Sequence, residues 1–298
     1  MTGLSNANGI LSGADILGAI STRVLNGECE RCVGLCCVAP AFSASADFAV
    51  DKPAGQACPN LLPDLRCGIH AELRERGFAG CVVFDCFGAG QRVSQETFAD
   101  SDAGFETGFE ADSDWRTNPA IAPELFAAFS VVRSLHELLW YLTAALGLPA
   151  AAPITPDLQA ACVETDRLAG GDAAALAALD LAAWRRKANV LLVEVGRLAR
   201  AASPGPKLDR RGASLIGADL RAVDLRGALL RGACLVGADL RGVDLALADL
   251  TGTDLRGSDL AGADIFDALF VTQSQVESAR GDRATRLLAH LRRPAHWR

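Results

Sequence analysis

Residues 213 to 272 repeat with a period of five and no slip: ASLIG ADLRA VDLRG ALLRG ACLVG ADLRG VDLAL ADLTG TDLRG SDLAG ADIFD ALFVT. No other feature of the chain restricts its fold so tightly. A large apolar residue holds the centre of each block, from Leu215 and Leu220 through Leu260 and Ile265 to Phe270. Two positions earlier stands a small or β-branched residue, mostly Ala. Neither the helical nor the strand side-chain period fits this spacing. A chain that turns one corner per block closes a square in four blocks and sends both kinds of residue inward. Each coil then stacks on the last at ~4.8 Å with β-type hydrogen bonds. The twelve blocks make a short rod of roughly 14 Å at that spacing.

The A(D/N)LxG blocks of 208–272 resemble the pentapeptide-repeat family, whose members form a right-handed quadrilateral β-helix. The resemblance implies such a coil here. A short helix over VTQSQVESARGD is expected to cap its C-terminal end, as open coil ends require, with TRLLAHLRRPAHWR folding back along it. Some members of the family mimic DNA and act on gyrase. Here Asp219, Asp239 and Asp259 are expected to stack on one face and Asp224, Asp244 and Asp264 on the next. Arg221, Arg226, Arg231, Arg241 and Arg256 stand close enough to neutralise them. The short rod and the mixed charge both argue against a DNA mimic.

The front of the chain poses a different problem. Eight of the ten cysteines lie between positions 29 and 86, four of them in GECERCVGLCCVAP. Gly and Pro run throughout this stretch, so its own apolar core is too small to hold it without a staple. Thiolates grip soft and borderline metals, and tight turns present them in pairs. Cys29 and Cys32 have the usual knuckle spacing. Cys36 and Cys37 add two adjacent thiols, and Cys58, Cys67, His70, Cys81 and Cys86 complete the candidate ligands. That set suits two tetrahedral zinc sites, or one iron–sulfur cluster with ligands to spare; disulfides or plain reduced thiols are the remaining readings.

The same pattern resembles the zinc- or iron-chelating cysteine-cluster family. There a CxxCxxCC element precedes a later Cys and a CxI(Y/H)-type segment, which leads to a further Cys. The corresponding residues here are Cys29, Cys32, Cys36, Cys37 and Cys58, then CGIH at Cys67, then Cys81. The pattern departs in one extra residue before the Cys pair, and in GFAGC where a Pro-containing turn is usual. The resemblance implies a bound metal, zinc first with iron or an iron–sulfur cluster as the alternative, and implies no particular chemistry.

Between these ends, SQETFADSDAGFETGFEADSDWRTNP carries seven carboxylates against one Arg and reads as an exposed acidic linker. From position 120 the pattern turns helical. Leu125, Phe129, Val132, His136, Leu139 and Leu146 share one stripe, and Gly147 ends it. Thr155-Pro156 opens a second helix and Gly170-Gly171 closes it. Asp172 caps a third, expected to run to about Ala202. His136, on the apolar stripe, reads as a core histidine, and Cys162 as a small buried residue. A first helix is expected over GADILGAISTRVL, behind an N-cap at Ser12.

We therefore expect a multi-domain α+β chain: a Cys-rich metal-binding module over 1–93, an acidic linker over 94–119, a helical bundle over 120–206, and a quadrilateral β-helix with a helical cap over 207–298. A formal net charge of −7 over 298 residues argues against a basic nucleic-acid face. The longest helical apolar run noted, KANVLLVEVG, is too short to span a bilayer. No basic residue precedes Arg23, so the start lacks the positive region of a secretory signal; the expectation is a cytoplasmic protein, where thiols stay reduced. The four histidines form no nucleophile–base constellation with neighbouring residues. The leading functional expectation is a non-enzymatic metal-binding scaffold with a protein partner and no membrane or nucleic acid, its open coil end suited to homo-oligomer formation. An iron–sulfur or iron-dependent redox or modification enzyme, or its accessory subunit, is the alternative. A DNA-mimic modulator of topoisomerase comes last.

Overall fold

The computed structural model describes residues 25–98, 115–201, 203, 205 and 207–297. The helix expected over 13–25 and most of the acidic stretch lie outside these residues.

The repeats form a coil of four blocks per turn. Backbone bridges join residues twenty apart in register, Asp219 to Asp239, Asp239 to Asp259, and Cys234 to Asp254 among them. Each is carried by short amide bonds, such as Leu235 N–H to Asp254 O at 2.8 Å and Asp239 N–H to Ala218 O at 2.9 Å. The centres Leu225, Leu230, Leu235, Leu240 and Leu245 are fully buried, with Ala228, Ala233 and Ala238 beside them. Buried hydroxyls at the small position are satisfied: Thr253 donates to Leu230 O at 2.9 Å and Ser258 to Leu255 O at 2.8 Å.

One expectation is corrected. Among the described residues no β-strand and no sheet forms, so the quadrilateral β-helix is not what the repeats build; their bridges are isolated, one residue wide. The repeat itself explains this. Eight of the twelve blocks end in a Gly that makes a left-handed turn, with φ between 62° and 69° at Gly217, Gly227, Gly232, Gly237, Gly242, Gly252, Gly257 and Gly262, and Leu247 takes the same turn at φ 60°. A corner every five residues leaves one residue per side to bridge before the chain turns away. The named elements of the chain are all helical.

The bundle is built around α4. In the module, three short helices come first: α1 (Leu35–Val38), α2 (Ala79–Val83) and α3 (Ala89–Arg92). Then α4 (Ala122–Leu146) starts behind Pro123 and stops at Gly147. By length and composition α4 could cross a membrane. Here it is the central core helix, with Leu125, Phe129, Val132, Leu135, Leu139 and Leu142 buried. Next come α5 (Thr155–Ala169), α6 (Ala173–Ala178) and α7 (Leu181–Arg200). The expected third helix is thus two. Asp172 caps α6 by accepting from Ala175 N–H, and Asp180 caps α7 by accepting from Ala183 N–H, both at 2.8 Å.

The coil is seated on the bundle. Leu269 and Phe270 share the core of Leu138, Tyr141 and Leu192. Beyond Phe270, α8 (Gln273–Ser278) opens with a reciprocal Thr272–Gln275 capping box. Arg280 and Arg286 continue the register by bridging Asp259 and Asp264. Trp297 closes this end, its ring buried and its Nε1–H donating to Ala279 O at 3.0 Å.

Candidate metal centre

The cysteine module reaches the bundle through α3. Arg92 is 4% exposed and donates to Asp166 Oδ1 at 2.6 Å. His136 approaches Phe87 O with Nδ1 at 2.7 Å. A carbonyl can only accept, so Nδ1 carries the proton and Nε2 accepts from Arg92 Nη1 at 3.2 Å. His136 is therefore a satisfied structural histidine. Gln91 fastens the module's start, donating to Asn26 O at 2.8 Å and accepting from Glu28 N–H at 3.2 Å.

Around this anchor the chain gathers its thiols. Cys29 begins a three-residue 3-10 turn, Cys29–Arg31, and Cys32 N–H closes on Cys29 O at 3.3 Å. Gly34, at φ 74°, redirects the chain into α1, which carries Cys36 and Cys37 with their sulfurs 4.0 Å apart. Cys58 is buried and donates its N–H to Cys37 O at 2.9 Å. Cys67 bridges Leu61, Cys81 lies on α2, and Cys86 precedes the left-handed Phe87-Gly88 corner that starts α3. His70 is exposed at the head of the His70–Glu72 turn.

Burial sets the chemistry of these thiols. It pushes Cys32 up to about 12 and Cys81 up to about 11, and it raises Cys29, Cys67 and Cys86 as well. Cys36 is held up first by its contact with Cys37 and then by burial. At neutral pH such groups keep their protons unless a cation replaces them. Asp85 also rises through burial, while its carboxylate accepts from Phe87 N–H at 2.7 Å.

Whether this donor set fits a metal turns on two glycines. A Cβ on Gly90 would lie 2.6 Å from Cys32 Sγ, and one on Gly27 would lie 3.1 Å from Cys86 Sγ. Both sulfurs occupy space that only glycine leaves open. Among the described residues, no three His, Cys, Asp or Glu side chains are yet drawn together as a metal-holding group. Cys36 and Cys37 bring their sulfurs to 4.0 Å, and the thiols pack against two apolar clusters, Cys32, Cys36 and Cys86 in one and Cys37, Cys58, Cys67 and Cys81 in the other. In donor type and burial the set suits zinc or iron; Cys29, Cys32, Cys36, Cys37, Cys58, Cys67, Cys81 and Cys86 would hold it.

Lys52 is a further buried residue of the module. It is 3% exposed. Its ammonium donates to Val38 O at 2.9 Å, Gln56 O at 3.0 Å and Pro53 O at 3.2 Å, and also to Pro40 O. A lone Lys between Asp51 and Pro53 carries no motif that would mark it.

Elsewhere, a cleft between α4, α7 and the coil is lined by Glu137, Tyr141, Arg185, Asn189 and Arg231. Arg231 is already engaged there by Asp249 at 3.2 Å and Asn189 at 3.3 Å, so the cleft is the seam between two units. On the coil's sides, Arg221 pairs with Asp219 at 2.7 Å and Arg241 with Asp239 at 2.6 Å, which leaves mixed rather than acidic faces.

Comparison with known proteins agrees with the coil. A family model described as pentapeptide repeats matches residues 211–246 and 233–270, in eight copies. The "Uncharacterized protein YybG" of Bacillus subtilis (strain 168) is 50% identical over 277 residues, covering 92% of this chain and 95% of that one. The chain belongs to this family of pentapeptide-repeat proteins. Among solved structures, a pentapeptide repeat protein from the thylakoid lumen of Arabidopsis thaliana is similar at 30% identity, covering 29% of this chain and 55% of that one, with a TM-score of 0.22. The chain thus spans about half of that neighbour's length. The family-model match is confined to the repeats, whereas the match to YybG extends well beyond them.

Proposed function

We propose that this pentapeptide-repeat protein is a metal-bearing scaffold. Its N-terminal module closes around cysteine-held zinc, and the coil and bundle give that module a rigid support from which to engage a protein partner in a reducing compartment. The observation that carries the reading is the gathering of eight cysteines into residues 29–86, borne on separate turns and short helices, all but Cys29 at least partly buried. The likeness of the cysteine pattern to the zinc- or iron-chelating cluster family points the same way. When bound, the metal would supply cross-linking of these turns; the residues around it bury the sulfurs and orient them.

Metal analysis of full-length protein purified anaerobically under reducing conditions tests the reading. Zinc is expected to accompany the chain, and its removal by a chelator is expected to open residues 25–98 to protease. A metal-free chain whose module stays protease-resistant would overturn it. Iron with broad visible absorption would replace the zinc scaffold by an iron–sulfur or iron-dependent reading.

A further inference from the structure

We infer that the first turn of the coil, residues 208–227, docks against the same turn of a second copy of this chain, so that two coils stack end to end about a two-fold axis. The inference stands apart from the metal-bearing reading and does not need it.

The two ends of the coil differ. At the far end the ladder is closed: Arg280 and Arg286 bridge Asp259 and Asp264, Thr285 donates to Leu260 O at 2.8 Å, and α8 and Trp297 cover the core. At the start it is open. Leu229, Cys234 and Asp239 each send an N–H to the turn before, to Leu208 O, Ala213 O and Ala218 O, and accept there from the N–H of Arg210, Leu215 and Leu220. Asp209, Ser214 and Asp219 hold the same places one turn earlier, and among the described residues no backbone group meets their N–H or C=O. The apolar floor is open too. Leu208, Leu215, Ala218 and Val223 are half-buried, whereas Ala228, Leu235, Ala238 and Val243, one turn on, are buried. Ile216, on the rim, is 64% exposed.

A second copy fits this end. An unpaired edge with apolar side chains behind it invites another chain, but a single strand could serve only one of the coil's sides. Another coil end offers an N–H and a C=O at each side, and in this chain the other end is closed. Two-fold rotation sets the facing sides antiparallel, where opposed residues exchange both backbone bonds, and such an interface is self-complementary. The coil climbs as it turns, so its end is a ramp with one step. A ramp keeps its hand on rotation; two of them mate at even spacing when the axis passes through the corner at which the chain enters. The first side, 208–212, then faces the fourth side, 223–227, of the second copy. Charge agrees with that pairing. Around the open end Arg211 pairs with Asp209 at 2.6 Å, Arg221 with Asp219 at 2.7 Å and Arg226 with Asp244 at 2.9 Å. Arg210, on the first side, donates to Asp209 O at 3.1 Å, and Asp224, on the fourth, accepts from Arg226 N–H at 3.1 Å. Among the described residues neither side chain forms an ion pair. Stacking sets Arg210 of each copy across from Asp224 of the other.

Sedimentation equilibrium of the full-length protein under reducing conditions tests the stack, and should give twice the 31.1 kDa of one chain. Arg210→Glu and Asp224→Arg, each alone, set like charges across the interface and should raise the dimer's dissociation constant at least about tenfold. Combined in one chain they restore opposite pairing, and the constant should return close to the wild-type value. Both positions are exposed, so folding should be spared. A second readout needs no change of charge. Benzoylphenylalanine in place of Ile216 should cross-link two chains on irradiation; in place of Phe266, 44% exposed in the last turn, it should not. A monomer at every concentration, a dimer indifferent to both single changes, or single defects that the combination fails to rescue would overturn the inference. So would a cross-link from position 216 that stays within its own chain, since the chain would then cover its own end.

Discussion

From Leu225 to Ile265 the coil buries the centre of every block at 2% exposure or less, and each block repeats the backbone bonds of the one twenty residues away. Residues 25–98 show the opposite economy. No helix there exceeds five residues, and the two isolated bridges, Phe42 to Lys52 and Leu61 to Cys67, are antiparallel and local. What is repeated in the coil is unique in the module: one Phe42–Phe48 stack at 4.3 Å, one buried Lys, one Arg92 anchor. A repeat array adds up similar nearest-neighbour terms, so it loses stability by increments. A loop-rich module with a thin core depends on a few contacts and loses order all at once.

The largest effect should therefore come from sulfur. Replacing Cys29 and Cys32 together by Ser, or stripping the metal, removes stabilisation on the order of 10 kcal/mol if the site behaves like other structural zinc sites. The module should become protease-sensitive while fragments spanning the coil survive. Equal protease resistance in the variant and the wild type would erase the proposed contrast between the two regions.

A cavity in the coil should cost less and stay local. Leu240 is fully buried, and Leu240→Ala should destabilise by ~2–5 kcal/mol, read by urea denaturation of the coil's transition. Metal content should not change. If Leu240→Ala releases metal, the two regions unfold as one unit and the comparison needs redrawing.

These two regions also differed in how far they could be read in advance. The five-residue period located every inward residue of the coil, because a repeat states the same constraint twelve times. What it could not state is how long each straight side would be. The turn glycines set that, and they leave single bridges where strands were expected. In the module the cysteine spacing named the thiols but not their surroundings. Those depend on α1, which sets Cys36 against one apolar cluster and Cys37 against another, and on Arg92 reaching Asp166 across 74 positions. Likewise Asp180, one more Asp in an Ala-rich stretch, turned one expected helix into two by capping at a point the periodicity does not mark.

A single methyl group sharpens the contrast further. Gly90 lies within α3, where alanine would ordinarily favour the helix by ~0.5–1 kcal/mol. The 2.6 Å approach of its Cβ to Cys32 Sγ should outweigh that gain, since overpacking costs ~1–3 kcal/mol. Gly90→Ala should thus destabilise the module and weaken metal retention. Gly237, on the coil, has open space where its Cβ would be but φ 66°, so Gly237→Ala tests backbone strain without a clash and should spare the metal. Stabilisation by Gly90→Ala would mean that Cys32 is free to swing away, and would count against its place as a ligand.

The smallest effect belongs to the ion pairs on the coil's sides. Hydrogen bonds from Arg221 and Arg241 hold the carboxyls of Asp219 and Asp239 down to about 2, against about 3.9 for an unfolded Asp. A carboxyl depressed in the folded state contributes stability that is fully present above the unfolded value and is lost as pH falls through the folded one. The window is therefore roughly pH 4 to 2. The pairs face solvent and salt screens them, so Asp219→Asn with Asp239→Asn should barely move the coil's unfolding midpoint at neutral pH. It should flatten the midpoint's decline across that acid window, most visibly at low salt. An unchanged acid slope in the double variant would show that the paired rows hold nothing, and that the coil's resistance comes from its buried Leu and Ala alone.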